Sequence, residues 1–375
     1  MFQSYLAAAL RNLARNRLYS AINVIGFAVA LAAALLIALY VRDELTFEQF
    51  IPGYRDAYRL STIVHWSGGE QVAESAPPRV ASRLRLDFPS IRYVARLLPE
   101  PQTLRHGKIE SNETVFWAAP DFFAILPLPV IAGDLRTALS RPDGIVLTRA
   151  AARRYFGEDA PIGATLELNR KHVMRVVAVL QDLPSNTHLQ FNVIASGQAA
   201  FSYTARLDSQ PDISNPWVAY TYFRLQPGAS PADIERAMPR FLQSHMPAYS
   251  DSTANAVRIS LPIIPVADIH LHSFGIGALR PPGSVAALYA LSIIAVLVVL
   301  IASANFVNLM TARGARRAVE VGVRKASGAT RSDLVLQFIG ESVLYVFLAA
   351  VFSLARAART GRPQLSAPGP RIPLS

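Results

Sequence analysis

The chain has 375 residues, of which 51% are hydrophobic and 17% charged, and its formal net charge is +11. This composition is too apolar for an ordinary soluble enzyme and too polar for a bundle made only of membrane helices. The sequence contains no cysteine, which excludes disulfides, thiolate metal sites and cysteine nucleophiles.

The first forty residues predict two helices. Residues 1–20 carry Arg11, Arg15 and Arg17 without an acid, and their apolar side chains recur at helical spacing. This pattern is typical of an amphipathic helix on the cytoplasmic side of a membrane, although a plain lead-in segment has the same charge. Residues 21–41 form an apolar run that is too long for the core of a signal peptide. Because positive charge precedes the run and acids follow it, we expect a transmembrane helix with its carboxyl end outside.

Residues 42–284 contain no further long apolar run and mix helix and strand patterns. We therefore expect a membrane protein whose transmembrane helices carry a large α+β extracytoplasmic domain in two lobes. Helices are predicted at residues 80–88 and 149–156, and a third is capped by Ser230 with Pro231 at its first position. Strands are predicted at residues 114–118, 144–147, 173–180, 220–225 and 257–264.

A second apolar run, residues 285–310, is long enough to cross about 30 Å of hydrocarbon. Ser303, Asn305 and Asn308 lie near its expected cytoplasmic end. Polar side chains at that depth usually bond to neighbouring helices, so we interpret them as candidate helix contacts. A substrate pathway is the alternative.

A strongly basic loop, residues 311–333, separates this run from a third apolar run at residues 334–354. Between Ala312 and Ser332 the loop has one acid, Glu320, among several arginines, and residues 355–375 form an atypical basic tail rich in proline. Since the positive charge lies beside apolar spans, it predicts cytoplasmic loops and contact with anionic lipid rather than binding to nucleic acid.

The sequence shows little sign of catalytic chemistry. It contains no G-x-x-x-x-G-K-[ST] loop for nucleotide phosphate and neither an H-E-x-x-H nor a G-x-S-x-G motif. Asp268, His270 and His272 alternate, so on a strand they would share one face and could hold a metal. Alternation of this kind also fits polar residues at a strand end. We predict no catalytic residue, no cofactor and no metal.

Short motifs follow one another along the chain in a distinctive order. They occupy residues 40–50, 58–60, 121–123, 132–134, 144–148, 155–163, 182–188, 269–273, 305–309, 311–313, 320–325 and 328–329. Together they resemble the permease subunits of MacB/FtsX-type ABC transporters, with a MacB-like periplasmic core domain and an FtsX-like permease domain. The resemblance extends from Met1 to about Leu354, and its most specific part is the block from Asn305 to Ala329.

The resemblance implies a multi-pass protein of the bacterial cytoplasmic (inner) membrane that works with an ABC ATPase on a separate chain. It also implies a second permease subunit, in a homodimer or heterodimer, and leaves a periplasmic adaptor open. The residues expected to couple to the ATPase are Glu320, Gly322, Arg324, Lys325 and Gly328. Glu320 and Arg324 are four residues apart on one helical face. The alternative is that these charges only fix topology.

The resemblance ends before the chain does. The family has a fourth apolar helix after the third, and here the basic tail stands in its place, so we expect a truncated or frame-shifted product. Two other classes of protein compete with the permease interpretation. A membrane-anchored sensor with a periplasmic ligand-binding domain would need a longer cytoplasmic segment for its output, and a membrane-tethered hydrolase would need the missing catalytic motifs.

Overall fold

The computed structural model describes residues 17–209, 218–250, 257–312 and position 326. The chain divides into two compact units, one formed by Met1–Leu45 with Ser284–Ser375 and the other by Thr46–Gly283. The predicted helix before residue 17, nearly all of the loop at residues 311–333, the third apolar run and the tail lie outside the described residues.

The described elements are numbered in chain order. The helices are α1 (Arg17–Leu45), α2 (Val80–Asp87), α3 (Phe122–Ile125), α4 (Leu135–Ala138), α5 (Arg149–Phe156), α6 (Tyr203–Ser209), α7 (Pro231–His245), α8 (Pro247–Ser250), α9 (Ile269–His272) and α10 (Val285–Ala312). The strands are β1 (Ala57–Leu60), β2 (Thr62–Trp66), β3 (Gly69–Ala73), β4 (Ile91–His106), β5 (Ile109–Ala118), β6 (Val130–Gly133), β7 (Gly144–Thr148), β8 (Thr165–Leu168), β9 (His172–Leu180), β10 (Val193–Ser196), β11 (Tyr220–Leu225), β12 (Val257–Ser260) and β13 (Ile263–Pro265). Short 3₁₀ helices span Tyr54–Asp56 and Val266–Asp268.

Two of the described helices are long and apolar enough to cross a membrane, judged by length and composition. The candidate spans are Ile25–Leu45 in α1 and Val285–Asn308 in α10. Few of the side chains in these spans are buried within the protein, although the spans are strongly apolar, as is typical of helices that face lipid. The two helices pack against each other, and the ring centroids of Phe27 and Phe306 are 5.8 Å apart.

The unit Thr46–Gly283 is built on a mixed ten-stranded sheet. Its strand order is β13-β1-β11-β4-β5-β10-β7-β9-β6, and β8 pairs with both β4 and β9. The pairs β5/β10 and β7/β9 are parallel, and the other pairs in this sheet are antiparallel. A second sheet contains three strands in the order β12-β2-β3.

The centre of the large sheet is buried on both faces. On β5, Phe116 and Ala118 join one core cluster, whereas Val115 and Trp117 join another. Successive side chains of a strand point to opposite faces, so the two clusters cover the two sides of the sheet. A third cluster lies where α2 and α7 pack on the sheet and includes Leu84, Phe223 and Phe241.

Helices with local start and stop signals were predicted correctly. Thr148 caps α5 through its side-chain oxygen, which accepts from the Ala151 amide at 3.3 Å, and Gly157 ends the helix with a φ of 74°. Ser230 caps α7 in the same manner, accepting from the Ala232 amide at 3.3 Å, and Pro231 occupies the first helical position. Such caps satisfy amides that a helix leaves free at its start.

One strand prediction is corrected. Residues 257–264 form two strands in different sheets, because Leu261 and Pro262 interrupt the run and proline has no amide for a ladder. The division of the domain into two lobes stays a prediction; the unit Thr46–Gly283 contains the ten-stranded sheet and a separate three-stranded sheet.

The long strand β4 was not predicted, because Pro99 and Pro101 interrupt its pattern. Both prolines fall between Leu97, where pairing with β11 ends, and Leu104, where pairing with β8 begins. In that stretch the described pairings of β4 are with β5 alone, so prolines are tolerated along its other edge.

Candidate functional site: the junction where the chain enters and leaves the domain

Three segments that are distant in sequence meet at one place in the unit Thr46–Gly283. They are residues 46–51, which follow α1, residues 185–188, and residues 269–283, which precede α10. We call these segments together the junction. Every path along the backbone from α1 or α10 into the domain passes through it.

The turn after α1 is fastened to residues 185–188 by backbone and side-chain hydrogen bonds. The Glu48 amide donates to the Asn186 carbonyl at 3.0 Å, and Asn186 Nδ2 donates to the Thr46 carbonyl at 2.9 Å. Glu48 has a φ of 62°, a left-handed conformation that is uncommon for a residue other than glycine. The surrounding contacts hold it there.

The Glu48 side chain is fully buried, with 0% of its surface exposed. Its carboxylate accepts from the Thr187 hydroxyl at 2.9 Å and from Nδ1 of His188 at 2.8 Å. Because a carboxylate only accepts, Nδ1 of His188 donates to Glu48, and Nε2 of the same ring lies 2.7 Å from the Tyr222 hydroxyl. Burial raises the pKa of Tyr222, which keeps its hydroxyl protonated and able to donate.

A buried ion pair joins Arg59 on β1 to Glu74, which directly follows β3. The Ser273 hydroxyl bridges them, 3.0 Å from Nη2 of Arg59 and 2.7 Å from Oε2 of Glu74. Burial lowers the pKa of the Arg59 guanidinium, and the neighbouring Tyr222 hydroxyl and Glu48 carboxylate oppose that shift. The Glu48 carboxylate and the Arg59–Glu74 ion pair therefore act on each other within one buried network.

The segment before α10 is tied to the same place. Phe47 stacks on His270 with ring centroids 3.4 Å apart, and the Arg280 guanidinium lies 5.3 Å from the centroid of the Phe47 ring. Arg280 also donates to the Thr187 carbonyl at 3.2 Å, and the Gly283 amide donates to the His270 carbonyl at 2.8 Å. The last residue of the unit is thus fixed to the same cluster as the first.

The residues selected from the sequence fall elsewhere. The five coupling candidates lie outside the described residues: Glu320, Gly322, Arg324, Lys325 and Gly328. The predicted helix contacts Ser303, Asn305 and Asn308 all lie on α10. The Ser303 hydroxyl donates to the Val299 carbonyl of the same helix at 2.7 Å, so in this conformation its hydrogen is not available to a neighbouring helix.

A groove between α1 and α10 has a volume of about 400 Å³ and is lined mainly by apolar side chains. Small residues such as Gly26, Ala30 and Ala302 shape it, and Asn305 supplies a polar side chain, whereas Asn308 is not among the lining residues. Of the three predicted helix contacts, Asn305 is the one whose side chain lines this groove.

The interpretation of Asp268, His270 and His272 as neighbours on a strand is wrong. Val266–Asp268 is a 3₁₀ helix that runs directly into α9, so the side chains do not alternate on one face. His270 is buried against Phe47, while His272 is exposed, with Nδ1 3.8 Å from the Asp268 carboxylate. Within the described ranges, no three histidine or acidic side chains are grouped to hold a metal.

The buried network was not selected from the sequence. Glu48 and His188 are 140 residues apart, and Glu74 and Ser273 are 199 residues apart, so neither pair leaves a local pattern. One signal did exist. The junction gathers parts of three motif stretches that carry the family resemblance, residues 40–50, 182–188 and 269–273.

Comparisons with known proteins place this geometry in a family. The family model described as MacB-like periplasmic core domain matches residues 20–241, which is more than half of the chain. The model described as FtsX-like permease C-terminal matches residues 292–358.

Two curated relatives carry the name macrolide export ATP-binding/permease protein MacB. The protein from Agrobacterium fabrum is 22% identical over 277 residues, which cover 72% of this chain and 38% of the relative. The protein from Chromobacterium violaceum is 21% identical over 361 residues, which cover 92% of this chain and 51% of the relative. The chain thus spans about half or less of the length of these relatives.

Two solved structures are similar at low identity. A domain of a permease protein from Porphyromonas gingivalis aligns with a TM-score of 0.48 at 18% identity, over 64% of this chain and 98% of that one. The periplasmic region of MacB from Actinobacillus actinomycetemcomitans aligns with a TM-score of 0.40 at 15% identity, over 56% and 90%. On the strength of the two family models, the chain belongs to the MacB/FtsX-type family of ABC transporter permeases.

Proposed function

We propose that this permease component passes an ATP-driven conformational change to its extracytoplasmic domain. The change serves the export or extraction of a substrate or the regulation of periplasmic partners. Proteins of this family lie in the inner membrane and carry a periplasmic domain. The proposal is carried by the junction. The segment after α1 and the segment before α10 are both hydrogen-bonded or packed against the same buried cluster of residues.

The network makes the junction a stiff connection. A displacement of α1 enters at Thr46 and reaches β11 through Glu48, His188 and Tyr222. A displacement of α10 enters at Gly283 and reaches the turn after α1 through His270 and Phe47. Packed interiors deform little, so a movement of either helix displaces the sheet as a body instead of stretching a linker.

Several parts of the proposal concern the rest of the assembly. We assign ATP hydrolysis to an ABC ATPase on a separate chain. A second permease subunit completes a dimer, and a periplasmic adaptor is an optional further partner. Residues 21–41, 285–310 and 334–354 are proposed as the transmembrane helices, residues 42–284 as the periplasmic domain, and residues 1–20 as the cytoplasmic-side helix.

The cytoplasmic loop provides the test of this function. Changing Arg324→Glu together with Lys325→Glu is expected to abolish control of the ATPase by the permease, because reversed charges repel a surface that pairs with cations. The ABC ATPase that co-purifies with the full chain in detergent would be reconstituted with each variant in vesicles, and ATP hydrolysis measured.

The control for this experiment is the matched double change Arg359→Glu and Arg362→Glu in the tail, which alters the same charge outside the proposed coupling loop. Unchanged ATPase control in the loop variant would contradict the assignment of residues 311–333 to coupling. Equal insertion of both variants into membranes shows that topology is kept.

The groove between α1 and α10 leads to a second prediction. Asn305→Leu is expected to lower the stability of the full chain in detergent by about 1 kcal/mol, because the interhelical hydrogen bond that we propose for its amide cannot form. Asn308→Leu is the matched control, since Asn308 does not line the groove. Thermal unfolding of both variants measures the difference, and equal effects would contradict a special role for Asn305.

A further inference from the structure

A loop beside the start of α10 is closed at its base. The Gly283 amide donates to the His270 carbonyl at 2.8 Å, which brings the two ends of residues 270–283 together. Gly283 is two residues before Val285, the first residue of the candidate span. Two residues extend at most about 7 Å, so the base of the loop lies within that distance of the proposed membrane boundary.

This loop exposes two large apolar side chains. Phe274 is 61% exposed and Ile276 is 55% exposed. Phe274 is four residues from His270, which places it no more than about 14 Å from the base of the loop. Scattered single apolar side chains on a surface are ordinary, but two on one loop next to a membrane span are informative.

The loop is held rigidly in this exposed position. Its backbone pairs with β3, because the Ile276 amide donates to the Val72 carbonyl at 2.8 Å and the Glu74 amide donates to the Ile276 carbonyl at 3.0 Å. Gly275 also donates its amide to the buried Glu74 carboxylate. Because this fixed backbone keeps the Phe274 side chain out of the core, its apolar surface stays in contact with water unless a lipid or protein surface covers it.

Exposed tyrosines lie near the matching ends of both candidate spans. Tyr40 is near the carboxyl end of Ile25–Leu45, and Tyr289 is in the second turn of α10. Tyrosine and tryptophan are enriched at the level of lipid headgroups, so these residues are typical of an outer interface. Charge fits as well, because Phe274 and Ile276 have no acid beside them in the sequence.

We propose that Phe274 and Ile276 insert into the headgroup region of the outer leaflet and hold the junction against the bilayer. The partner is therefore a lipid surface rather than a protein. This inference rests on the proposed function, because it takes α10 as a transmembrane helix with its amino end outside. It adds a second point of contact between the domain and the membrane, next to the backbone connections themselves.

The chain has no cysteine, so a single introduced cysteine can be labelled without background. The full chain with Phe274→Cys or Ile276→Cys would carry an environment-sensitive fluorophore in phosphatidylethanolamine and phosphatidylglycerol vesicles that contain headgroup-nitroxide lipid. Tyr289→Cys, 69% exposed in the candidate span, is the membrane reference, and Leu86→Cys, 70% exposed on α2, is the aqueous reference. We expect blue-shifted emission and strong nitroxide quenching at positions 274 and 276, similar to position 289.

Labels at 274 and 276 that emit and quench like the label at Leu86 would overturn the proposal. A blue shift without nitroxide quenching would also overturn it, since a protein surface would then cover the loop. Absence of quenching at position 289 would instead remove the transmembrane assignment of α10, and with it the proposed function. Both loop variants change exposed side chains, and tryptophan emission confirms that the domain is folded.

Discussion

Replacing Glu48 by alanine is expected to lower the free energy of unfolding of the domain by about 3–5 kcal/mol. The change leaves the Thr187 hydroxyl and two N–H groups of His188 buried without their acceptor. Buried donors that lose a charged partner retain the full desolvation cost. The effect is large because Glu48 has no exposed surface through which water could replace the carboxylate.

Unfolding of the full chain in detergent measures this effect through tryptophan fluorescence. The three tryptophans, Trp66, Trp117 and Trp217, all lie between residues 46 and 283 of the sequence, so the signal reports on this part of the chain. Glu70→Ala is the matched control, because the Glu70 carboxylate is exposed and pairs with His65 at 3.4 Å, and its loss is expected to be below about 1 kcal/mol. Equal losses for the two variants would show that the network does not stabilise the junction.

The parts of the fold that sequence reasoning found are those encoded locally. The α5 helix is specified by Thr148 at one end and Gly157 at the other, nine residues apart in the sequence. The helix α10 has no polar face at all over its candidate span, so its apolar run needs no partner to be recognised. Patterns of this kind lie within one element, so they can be recognised without tertiary information.

The missed parts depend on partners far away in the chain. Strand β4 is a strand because β5 and β11 pair with it, and its prolines occupy places where those partners need no amide. The Asp268–His272 stretch looks like an alternating strand, but the stacking of His270 on Phe47 belongs to a helical turn. Tertiary contacts of this kind override local preference, and one sequence does not display them.

The buried network is the extreme case of this dependence. A fully buried glutamate, such as Glu48 or Glu74, reads from the sequence as one more surface acid, since acids are rarely buried without a partner. The partners His188 and Arg59 lie on other elements of the domain. Motif order placed residues 40–50, 182–188 and 269–273 in one family, and only the fold shows that parts of these stretches meet.

The pair Arg59–Glu74 carries the second large expected effect. Arg59→Met and Glu74→Gln are each expected to lower the free energy of unfolding by about 3–5 kcal/mol, because each leaves one charged group buried without its partner. The double variant is expected to lose less than the sum of the two single variants, by about 2 kcal/mol or more, since it leaves neither charge alone. Tryptophan-monitored unfolding of the four proteins in detergent gives this coupling energy directly.

An exposed pair on α7 is the comparison for that cycle. Arg236 and Asp233 form an ion pair three residues apart, with both side chains largely in water, and the same cycle there is expected to give about 0.5 kcal/mol. A coupling at Arg59–Glu74 no larger than at Arg236–Asp233 would mean that Ser273 and the Gly275 amide alone satisfy Glu74. A large coupling means that charge joins β1 to the end of β3, two strands of different sheets, as the proposed transmission from α10 through Ser273 requires.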